Sequence, residues 1–318
     1  MGTSRNPHQV RATVKPELLD RESESSPGFR SFPIRSLVEY GKTVLATLLV
    51  AIMIKVFVVE AFRIPSGSME NTLQVGDFLL VNKLAYGIRT PRTIPLTTIS
   101  LPAFSFSLST GVRRGDVVVF EFPGDQQGVE RAMNDVNYIK RCVGLPGDTV
   151  QILRSRVFVN GREMLFSRNV KINESDGYAL WQRGIRLTPP GRGYTEDEYG
   201  PVVVPRRGDI IPLNRTTFDE WGEFIEREGH TPRLTADGTV SIAGVVAASY
   251  TVKRDYYFML GDNRNNSLDS RFWGFVPREN LVGEALMVYW SWDSDLSFLN
   301  LMEKVGSIRW ERIGTLVR

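Results

Sequence analysis

One serine and one lysine in this sequence have the neighbours that nucleophilic chemistry requires. Ser68 stands between Gly67 and Met69, shortly after the long apolar run of the chain, where a nucleophile would lie at a bilayer surface. Lys140 follows an aromatic and an aliphatic residue and is the lysine best placed to lose water. Residues 261–271 are dense in polar side chains that could orient such a lysine. Together the three segments predict a serine nucleophile that is activated by a lysine.

The scarcity of histidine limits the bases that could activate Ser68. An unactivated serine is a weak nucleophile and needs a base, but His8 and His230 both lie outside these segments. A Ser-His-Asp triad is therefore disfavoured. A lysine base must be neutral, so its pKa of ~10.4 must fall by about three units, which costs roughly 4 kcal/mol. Burial among apolar groups lowers the pKa in this way. The alternative for Lys140 is a surface lysine at the end of a strand.

Composition excludes several classes of function. The chain has 318 residues, of which 42% are hydrophobic and 24% are charged, as in ordinary globular proteins of one or two domains. A net charge of +3, without a recognisable nucleic-acid motif, argues against nucleic-acid binding. The single cysteine, Cys142, excludes an intrachain disulfide, and one cysteine with two histidines disfavours a zinc site. We therefore expect no metal site and no nucleic-acid partner.

Residues 44–59 form an apolar run that only Thr47 and Lys55 interrupt. The run is shorter than the ~20 residues that cross a bilayer as a helix, and residues 43–62 supply that length. Lys55 lies towards the C-terminal end, where its amine can reach the headgroups. We predict a transmembrane helix at 43–62. The alternatives are a cleaved signal peptide, because residues 59–61 mimic a cleavage site, and a buried helix of a soluble protein.

Residues 1–42 are polar and lack apolar periodicity, which predicts a disordered tail. Basic residues before the apolar run place this tail in the cytoplasm by the positive-inside rule, with the rest of the chain on the opposite side. The bias is modest, because Lys55, Arg63 and Lys83 add basic residues to the other side. The basic residues that precede the run are Arg5, Arg11, Lys15, Arg21, Arg30, Arg35 and Lys42.

The chain after the apolar run is predicted to be mainly β. Short runs of β-branched and aromatic residues are separated by Gly, Pro, Asn and Asp, which is typical of strands and turns. Asn160-Gly161 is typical of a hairpin turn. The predicted strands include residues 78–81, 116–120, 149–153, 157–159 and 285–290.

Residues 154–253 differ in character from their surroundings. They are polar and rich in Gly and Pro, contain a predicted short helix at 221–227, and hold none of the chemically suggestive clusters. We predict a large inserted subdomain here, between two parts of a catalytic domain at 63–153 and 254–318. One continuous β domain is the alternative.

Four segments resemble the sequence boxes of bacterial type I signal peptidase, the leader peptidase, in the order and spacing of that family. Four such matches are more specific than any one of them, and they cover the two predicted catalytic parts. The segments are Ser66-Gly67-Ser68-Met69 with Thr72-Leu73 and Gly76-Asp77, residues 114–120, Tyr138-Ile139-Lys140-Arg141 with residues 144–148, and residues 261–264 with Asn266-Ser267, residues 269–271 and Trp273-Gly274.

The resemblance implies a single-pass serine endopeptidase of the bacterial inner membrane that cleaves signal peptides from exported preproteins and needs no metal or organic cofactor. Its catalytic domain would be mostly antiparallel β and extracytoplasmic. The resemblance makes Ser68 the nucleophile and Lys140 the general base. The Ser66 hydroxyl and the Ser68 backbone N–H would form an oxyanion hole, which stabilises charge that develops in the transition state. Ser267 would hydrogen-bond the Lys140 amine and hold its rotamer.

The resemblance also assigns supporting and substrate-binding residues. Asp269 and Arg271 would brace the last box as an ion pair. The family's substrates have small residues at the first and third positions before the cut, which shallow apolar pockets accept and larger side chains would overpack. The positions that the resemblance gives to these pockets, each of which could equally be core, are Phe62, Ile64, Pro65, Met69, Leu73, Leu79, Val119, Tyr138 and Ile139.

Asn71 departs from the family pattern, which usually has proline three positions after the serine. Proline would fix φ near −65° after the nucleophile. We therefore expect Asn71 to loosen this loop without removing a reacting group.

Residues 94–109 are apolar but interrupted by Pro95 and Pro102. This pattern predicts either contact with membrane lipid beside the site or a hairpin packed on the β core.

Two other functions stay open at the level of the sequence. The first is a non-enzymatic, single-span envelope protein whose β domain binds partners. The second is a self-cleaving Ser/Lys repressor, which should lack the apolar run and carry a DNA-binding domain.

Overall fold

The computed structural model describes residues 34–89, 105–106, 111–124, 137–165, 186–297 and 299–318. The chain divides into two compact units, Met1–Leu49 and Val50–Arg318. The described residues form antiparallel strands with few helices, which confirms the predicted fold class.

Most of the described strands are short, and the last one has 11 residues. In chain order they are β1 (Val59–Arg63), β2 (Asp77–Asn82), β3 (Ile88–Arg89), β4 (Ser105–Phe106), β5 (Val117–Glu121), β6 (Asn137–Gly144), β7 (Thr149–Leu153), β8 (Arg156–Val159), β9 (Arg162–Glu163), β10 (Glu198–Val203), β11 (Ile210–Pro212), β12 (Pro232–Leu234), β13 (Val240–Ile242), β14 (Val245–Val246), β15 (Ser249–Thr251), β16 (Tyr256–Leu260), β17 (Val276–Pro277) and β18 (Leu281–Ser291). The helices are α1 (Ile34–Phe57), α2 (Arg215–Arg227), α3 (Ser270–Trp273) and α4 (Leu301–Gly306).

Helix α1 begins and ends earlier than the predicted bounds of 43–62. Its residues Val38–Phe57 are long and apolar enough to cross a membrane by length and composition, and few of their side chains are buried. The last helical turn closes with the Val58 N–H donating to the carbonyl of Ile54 (2.8 Å). Residues 59–62 are strand rather than helix because they pair with β2, with Val59 opposite Asn82.

A seven-stranded sheet among the described residues positions the chemically suggestive residues. Its strand order is β1-β2-β18-β5-β6-β16-β17. Strand β6 lies between β5 and β16, with Val118 opposite Lys140 and Leu260 opposite Arg141. Because successive side chains of a strand point to opposite faces, the side chains of Lys140 and Arg141 lie on opposite faces of the sheet.

A second sheet has the order β10-β7-β8-β9. The β8–β9 hairpin confirms the predicted turn, since Asn160 and Gly161 have φ angles of 53° and 74°, as a turn of this kind requires. Strand β7 belongs to this sheet, so the sheet begins before residue 154. Its apolar core includes Val150 of β7 and Phe258 of β16. The extent of an inserted subdomain stays a prediction.

Helix α2 is longer than the predicted 221–227 because a capping box starts it at Arg215. The Asn214 side chain accepts from the N–H groups of Thr216 (2.9 Å) and Thr217 (3.1 Å), and the Thr217 hydroxyl accepts from the Asn214 N–H (2.9 Å). These bonds satisfy donors that the first turn of a helix leaves unpaired.

Candidate active site

The structure brings Ser68 and Lys140 together from distant parts of the sequence. Ser68 lies in a 3-10 turn, Gly67–Met69, and Lys140 lies in the middle of β6. The Lys140 Nζ and Ser68 Oγ atoms are 2.6 Å apart. Both residues are buried, with 8% of Ser68 and 3% of Lys140 exposed. This is the hydrogen-bond distance that a nucleophile and its base require.

Burial dominates the electrostatics of Lys140. Desolvation lowers the pKa of its amine from 10.5 to about 8, although the carboxylates of Asp269 and Asp262 act in the opposite direction. Besides Ser68, the amine donates to the carbonyl of Ile139 (3.1 Å). The ring of Tyr138 also lies close, with its centroid 5.6 Å from Nζ. A larger share of the amine is therefore neutral near physiological pH than for an exposed lysine.

Ser267 does not make the hydrogen bond to Lys140 that the resemblance implies. Its Oγ is buried and has no hydrogen-bond partner among the described residues. The Lys140 amine instead turns to Ser68 and Ile139, and this rotamer leaves Ser267 unbonded. Ser267 nevertheless lies beside the nucleophile turn, because Gly261 is packed against both. A Cβ atom added to Gly261 would lie 2.0 Å from Ser267 Oγ and 2.7 Å from the Ser68 carbonyl oxygen.

Ser66 lies at the entrance of the nucleophile turn. Its backbone is extended, with φ of −137° and ψ of 156°, and its hydroxyl does not cap the turn. The residue is exposed. A contribution to an oxyanion hole stays a prediction for this residue.

Asp269 and Arg271 form the buried ion pair that the resemblance implies. The Arg271 Nε donates to Asp269 Oδ1 and Nη2 donates to Oδ2, both at 2.9 Å. Asp269 Oδ2 also accepts from the Gly261 N–H (3.1 Å). The pair therefore connects α3 to the segment that faces Ser68.

A second buried ion pair was not assigned a role by sequence reasoning. The guanidinium of Arg141 donates to both carboxylate oxygens of Asp262, at 2.8 Å and 2.6 Å. Asp262 also accepts from the Thr72 hydroxyl. The sequence offered one signal for this pair: Arg141 directly follows Lys140 in a strand, and Asp262 lies in the last box. Among the described residues, no group of His, Cys, Asp and Glu could hold a metal ion.

The residues predicted to line substrate pockets are mostly core in this structure. Tyr138 packs on Phe122, with ring centroids 4.9 Å apart, and Pro65 is exposed. Their role in substrate binding stays a prediction. One apolar cluster beside the nucleophile turn includes Ile64, Met69, Leu73, Leu79 and Val119, with Phe62 and Ile139 packed against it.

An aromatic pocket elsewhere in the β domain does not belong to this site. Its lining includes Trp221, Phe224, Tyr256 and Phe275, but neither Ser68 nor Lys140. Residues 94–104 and 107–109, for which lipid contact was predicted, lie outside the described residues.

Asn71 has an effect that differs from the expected loosening. Its φ is 79°, in the left-handed region that asparagine tolerates better than most residues. Proline, with φ near −65°, cannot adopt this conformation. The turn after Ser68 therefore follows a path that requires a residue other than proline at this position.

A buried serine at hydrogen-bond distance from a buried lysine, beside an antiparallel β sheet, supplies the nucleophile and the base that a serine endopeptidase requires. Comparison with known proteins supports this class. Residues 37–290 match the family described as "Signal peptidase, peptidase S26". Signal peptidase I of Pseudomonas aeruginosa is 35% identical over 284 residues, which cover 86% of this chain and 79% of that protein. Signal peptidase I of Aquifex aeolicus is 31% identical over 270 residues, covering 81% and 84%.

The chain belongs to the signal peptidase I family, as the resemblance predicted, and is a protease that cleaves signal peptides. A crystal structure of a signal peptidase I from Enterococcus faecalis is 21% identical and covers 55% of this chain and 96% of that chain, with a TM-score of 0.24.

Proposed function

We propose that this protein is a membrane-anchored endopeptidase that cleaves signal peptides from exported preproteins by a Ser68/Lys140 dyad. The observation that carries the proposal is the 2.6 Å contact between Lys140 Nζ and Ser68 Oγ in a buried site. The pKa of about 8 for this amine supports a base that is partly neutral at physiological pH.

In the first half of the reaction, neutral Lys140 takes the proton of Ser68 Oγ while Oγ attacks the scissile carbonyl carbon. The oxyanion that forms is stabilised by the Ser68 N–H and the Ser66 hydroxyl. Protonated Lys140 then gives its proton to the leaving amine, and the C–N bond breaks. The signal peptide stays bound to Ser68 as an ester.

In the second half, Lys140 takes a proton from water, which attacks the ester carbonyl. The carbonyl–Oγ bond breaks, Oγ regains a proton, and the signal peptide leaves with a carboxylate. Ser267 acts here as an orienting residue, because its unbonded hydroxyl can accept from the Lys140 ammonium when that ammonium is formed.

Substrate selection follows from the apolar cluster beside the turn. Small side chains before the cut fit shallow pockets there, and larger ones overpack them. The proposed contacts come from the nine positions that the resemblance assigns, among which Phe62, Pro65, Tyr138 and Ile139 are not fully buried.

The proposed anchor is the apolar segment Val38–Phe57. A helix of this length with few buried side chains suits lipid better than a protein core. The basic residues that precede it place the N-terminus in the cytoplasm, and the β domain then works at the extracytoplasmic surface of the bacterial inner membrane. Protease added to spheroplasts should reach the β domain. Its complete protection would overturn this orientation.

Preprotein cleavage in detergent tests the dyad directly. Ser68→Ala and Lys140→Ala should each abolish cleavage, and the double variant should lose no more than either single one, because the two residues act as a unit. Lys304→Met is the matched control, since Lys304 is also buried but donates to the Leu296 carbonyl. This variant should retain cleavage. Near-normal turnover by Lys140→Ala would refute the mechanism.

A further inference from the structure

The nucleophile turn has few internal restraints. It is a 3-10 turn of three residues, and 3-10 turns have poorer hydrogen-bond geometry than α-helices. The Glu70 N–H donates to the Gly67 carbonyl (3.0 Å), and the Leu73 N–H donates to the Met69 carbonyl (2.7 Å). The left-handed Asn71 also excludes the proline that would restrain the backbone directly after the turn.

Asn263 supplies the missing restraint from another part of the chain. Its backbone N–H donates to the carbonyl of Ser68 (3.0 Å). Its side-chain Nδ2 donates to the Gly67 carbonyl (3.2 Å) and to Glu70 Oε2 (3.0 Å). Asn263 is only 4% exposed. One buried residue therefore holds the turn before, at and after the nucleophile.

The chemistry of the side chain at 263 is specific. An amide nitrogen has two donors, and the two acceptors on the turn use both. An aspartate at this position would have no donor for Gly67 and would place a second carboxylate against Glu70. The interaction with Glu70 is charge-assisted, which makes it stronger than a neutral hydrogen bond.

We propose that Asn263 and Glu70 are positioning residues that clamp the nucleophile turn and hold Ser68 Oγ at hydrogen-bond distance from Lys140 Nζ. This inference rests on the proposed dyad. A shift of the turn by about an ångström would break the 2.6 Å contact, and displacements of this size have large effects on rate. The clamp replaces the backbone restraint of a proline with hydrogen bonds from a residue that is distant in sequence.

A charge-swap series on the full-length chain in detergent tests the clamp. Asn263→Asp should lower kcat about 10- to 100-fold, as expected for loss of hydrogen bonds to a charged group, and should leave KM within about twofold. Glu70→Gln keeps an acceptor and should cost less than about threefold. The double variant restores one hydrogen bond, in which the new amide at position 70 donates to the new carboxylate at position 263. Its kcat should be at least about threefold above that of Asn263→Asp, with part of the loss remaining because the hydrogen bond to Gly67 is not restored.

Asn160→Asp is the matched control. Asn160 Nδ2 donates to Asp148 Oδ1 (2.9 Å) in the β8–β9 hairpin, so this change also sets two carboxylates against each other, but away from Ser68. It should lower thermal stability and leave kcat unchanged. If Asn263→Asp unfolds, Glu70→Leu is the second variant, and it should lower kcat about 3- to 10-fold with little effect on folding.

Two results would overturn the clamp. One is a kcat within about twofold of wild type for folded Asn263→Asp or Glu70→Leu, against the losses expected from broken hydrogen bonds. The other is an inactive Asn263→Asp that Glu70→Gln fails to rescue, since this identifies a general structural role. Failure of the proposed function is a separate outcome, because Ser68→Ala and Lys140→Ala would then retain cleavage whatever the clamp variants do.

Discussion

Two buried cations of this protein have opposite surroundings. Arg271 contacts both oxygens of Asp269 and also donates to the carbonyls of Glu196 and Arg264. Burial alone would lower the pKa of Arg271, but the carboxylate of Asp269 and its hydrogen bonds hold this pKa above its ordinary value. The positive charge is therefore permanent.

Lys140 is equally buried but has only neutral hydrogen-bond partners among the described residues, Ser68 Oγ and the Ile139 carbonyl. Desolvation therefore prevails over the more distant carboxylates, and the pKa falls to about 8. The comparison teaches that burial by itself does not decide the charge of a cation. The number and sign of its direct partners decide whether the residue braces the fold or exchanges a proton.

The largest expected effect on cleavage comes from removing Lys140, the one of these two buried cations without a carboxylate partner among the described residues. Lys140→Met should lower cleavage by at least about 10³-fold, because Ser68 loses its base. At pH 7 it should also raise the free energy of unfolding, by at most about 3 kcal/mol, since a fall in pKa from 10.5 to about 8 corresponds to 1.36 kcal/mol per unit. Cleavage assays and urea unfolding measure the two effects.

The pH dependence of this stability effect has a defined sign. Below pH 8 the amine is charged in the folded and unfolded states, and the folded state carries the full cost of burial. Between pH 8 and 10.5 only the unfolded state binds the proton fully, so the stability of wild type rises with pH towards that of Lys140→Met. A variant that is less stable than wild type at pH 7 would break the comparison.

Removal of Arg271, the buried cation that is paired with Asp269, should lower the stability instead. Arg271→Met leaves Asp269 buried without its partner and should cost about 3–5 kcal/mol in urea unfolding. The double variant Arg271→Met with Asp269→Asn should recover much of this loss, because no unpaired charge remains and the amide oxygen can still accept from the Gly261 N–H. Equal destabilisation by the single and double variants would show that packing, and not charge compensation, holds this region.

The backbone beside Ser68 gives a smaller effect. Asn71→Pro should destabilise the protein by at least about 1 kcal/mol and reduce kcat, because proline cannot adopt φ of 79°. Asn71→Gly is the control and should keep both stability and kcat, because glycine adopts positive φ readily. Thermal unfolding with kinetics distinguishes them. Higher stability in Asn71→Pro would contradict the left-handed turn.

The smallest effect is the pH profile of wild type. Cleavage needs neutral Lys140, so kcat/KM should rise with pH along a limb centred at about 8, by about tenfold between pH 7 and 9. Arg271 should contribute no limb. A limb near pH ~6.5 that disappears in His230→Gln would identify a different base.

Much of the candidate site could be predicted from sequence because its residues occur in short, ordered boxes. The pairing of Ser68 with Lys140 was implied by the resemblance of these boxes to the family, and the absence of histidine in them and the apolar neighbours of Lys140 agreed with it. The Asn160-Gly161 turn followed from local backbone preference alone. The mainly β fold followed from short runs of β-branched and aromatic residues that turn-forming residues separate.

Other features depended on partners distant in sequence. Residues 59–62 continue an apolar helix by composition, but pairing with β2 makes them strand. The bond expected between Ser267 and Lys140 is absent because the amine turns to Ser68. The partner of Arg141 is Asp262, which lies more than a hundred residues further along the chain and meets Arg141 only in the folded protein.

The sequence by itself determined the chemical groups of this protein and the order in which they occur, because residue types and local propensities are properties of short segments. Only the tertiary structure decided the protonation of Lys140, the sign of φ at Asn71 and the attachment of Asn263 to the nucleophile turn. Burial, backbone path and hydrogen-bond distance arise when strands from different parts of the chain pack together, and hydrogen bonds and pKa values respond to those distances.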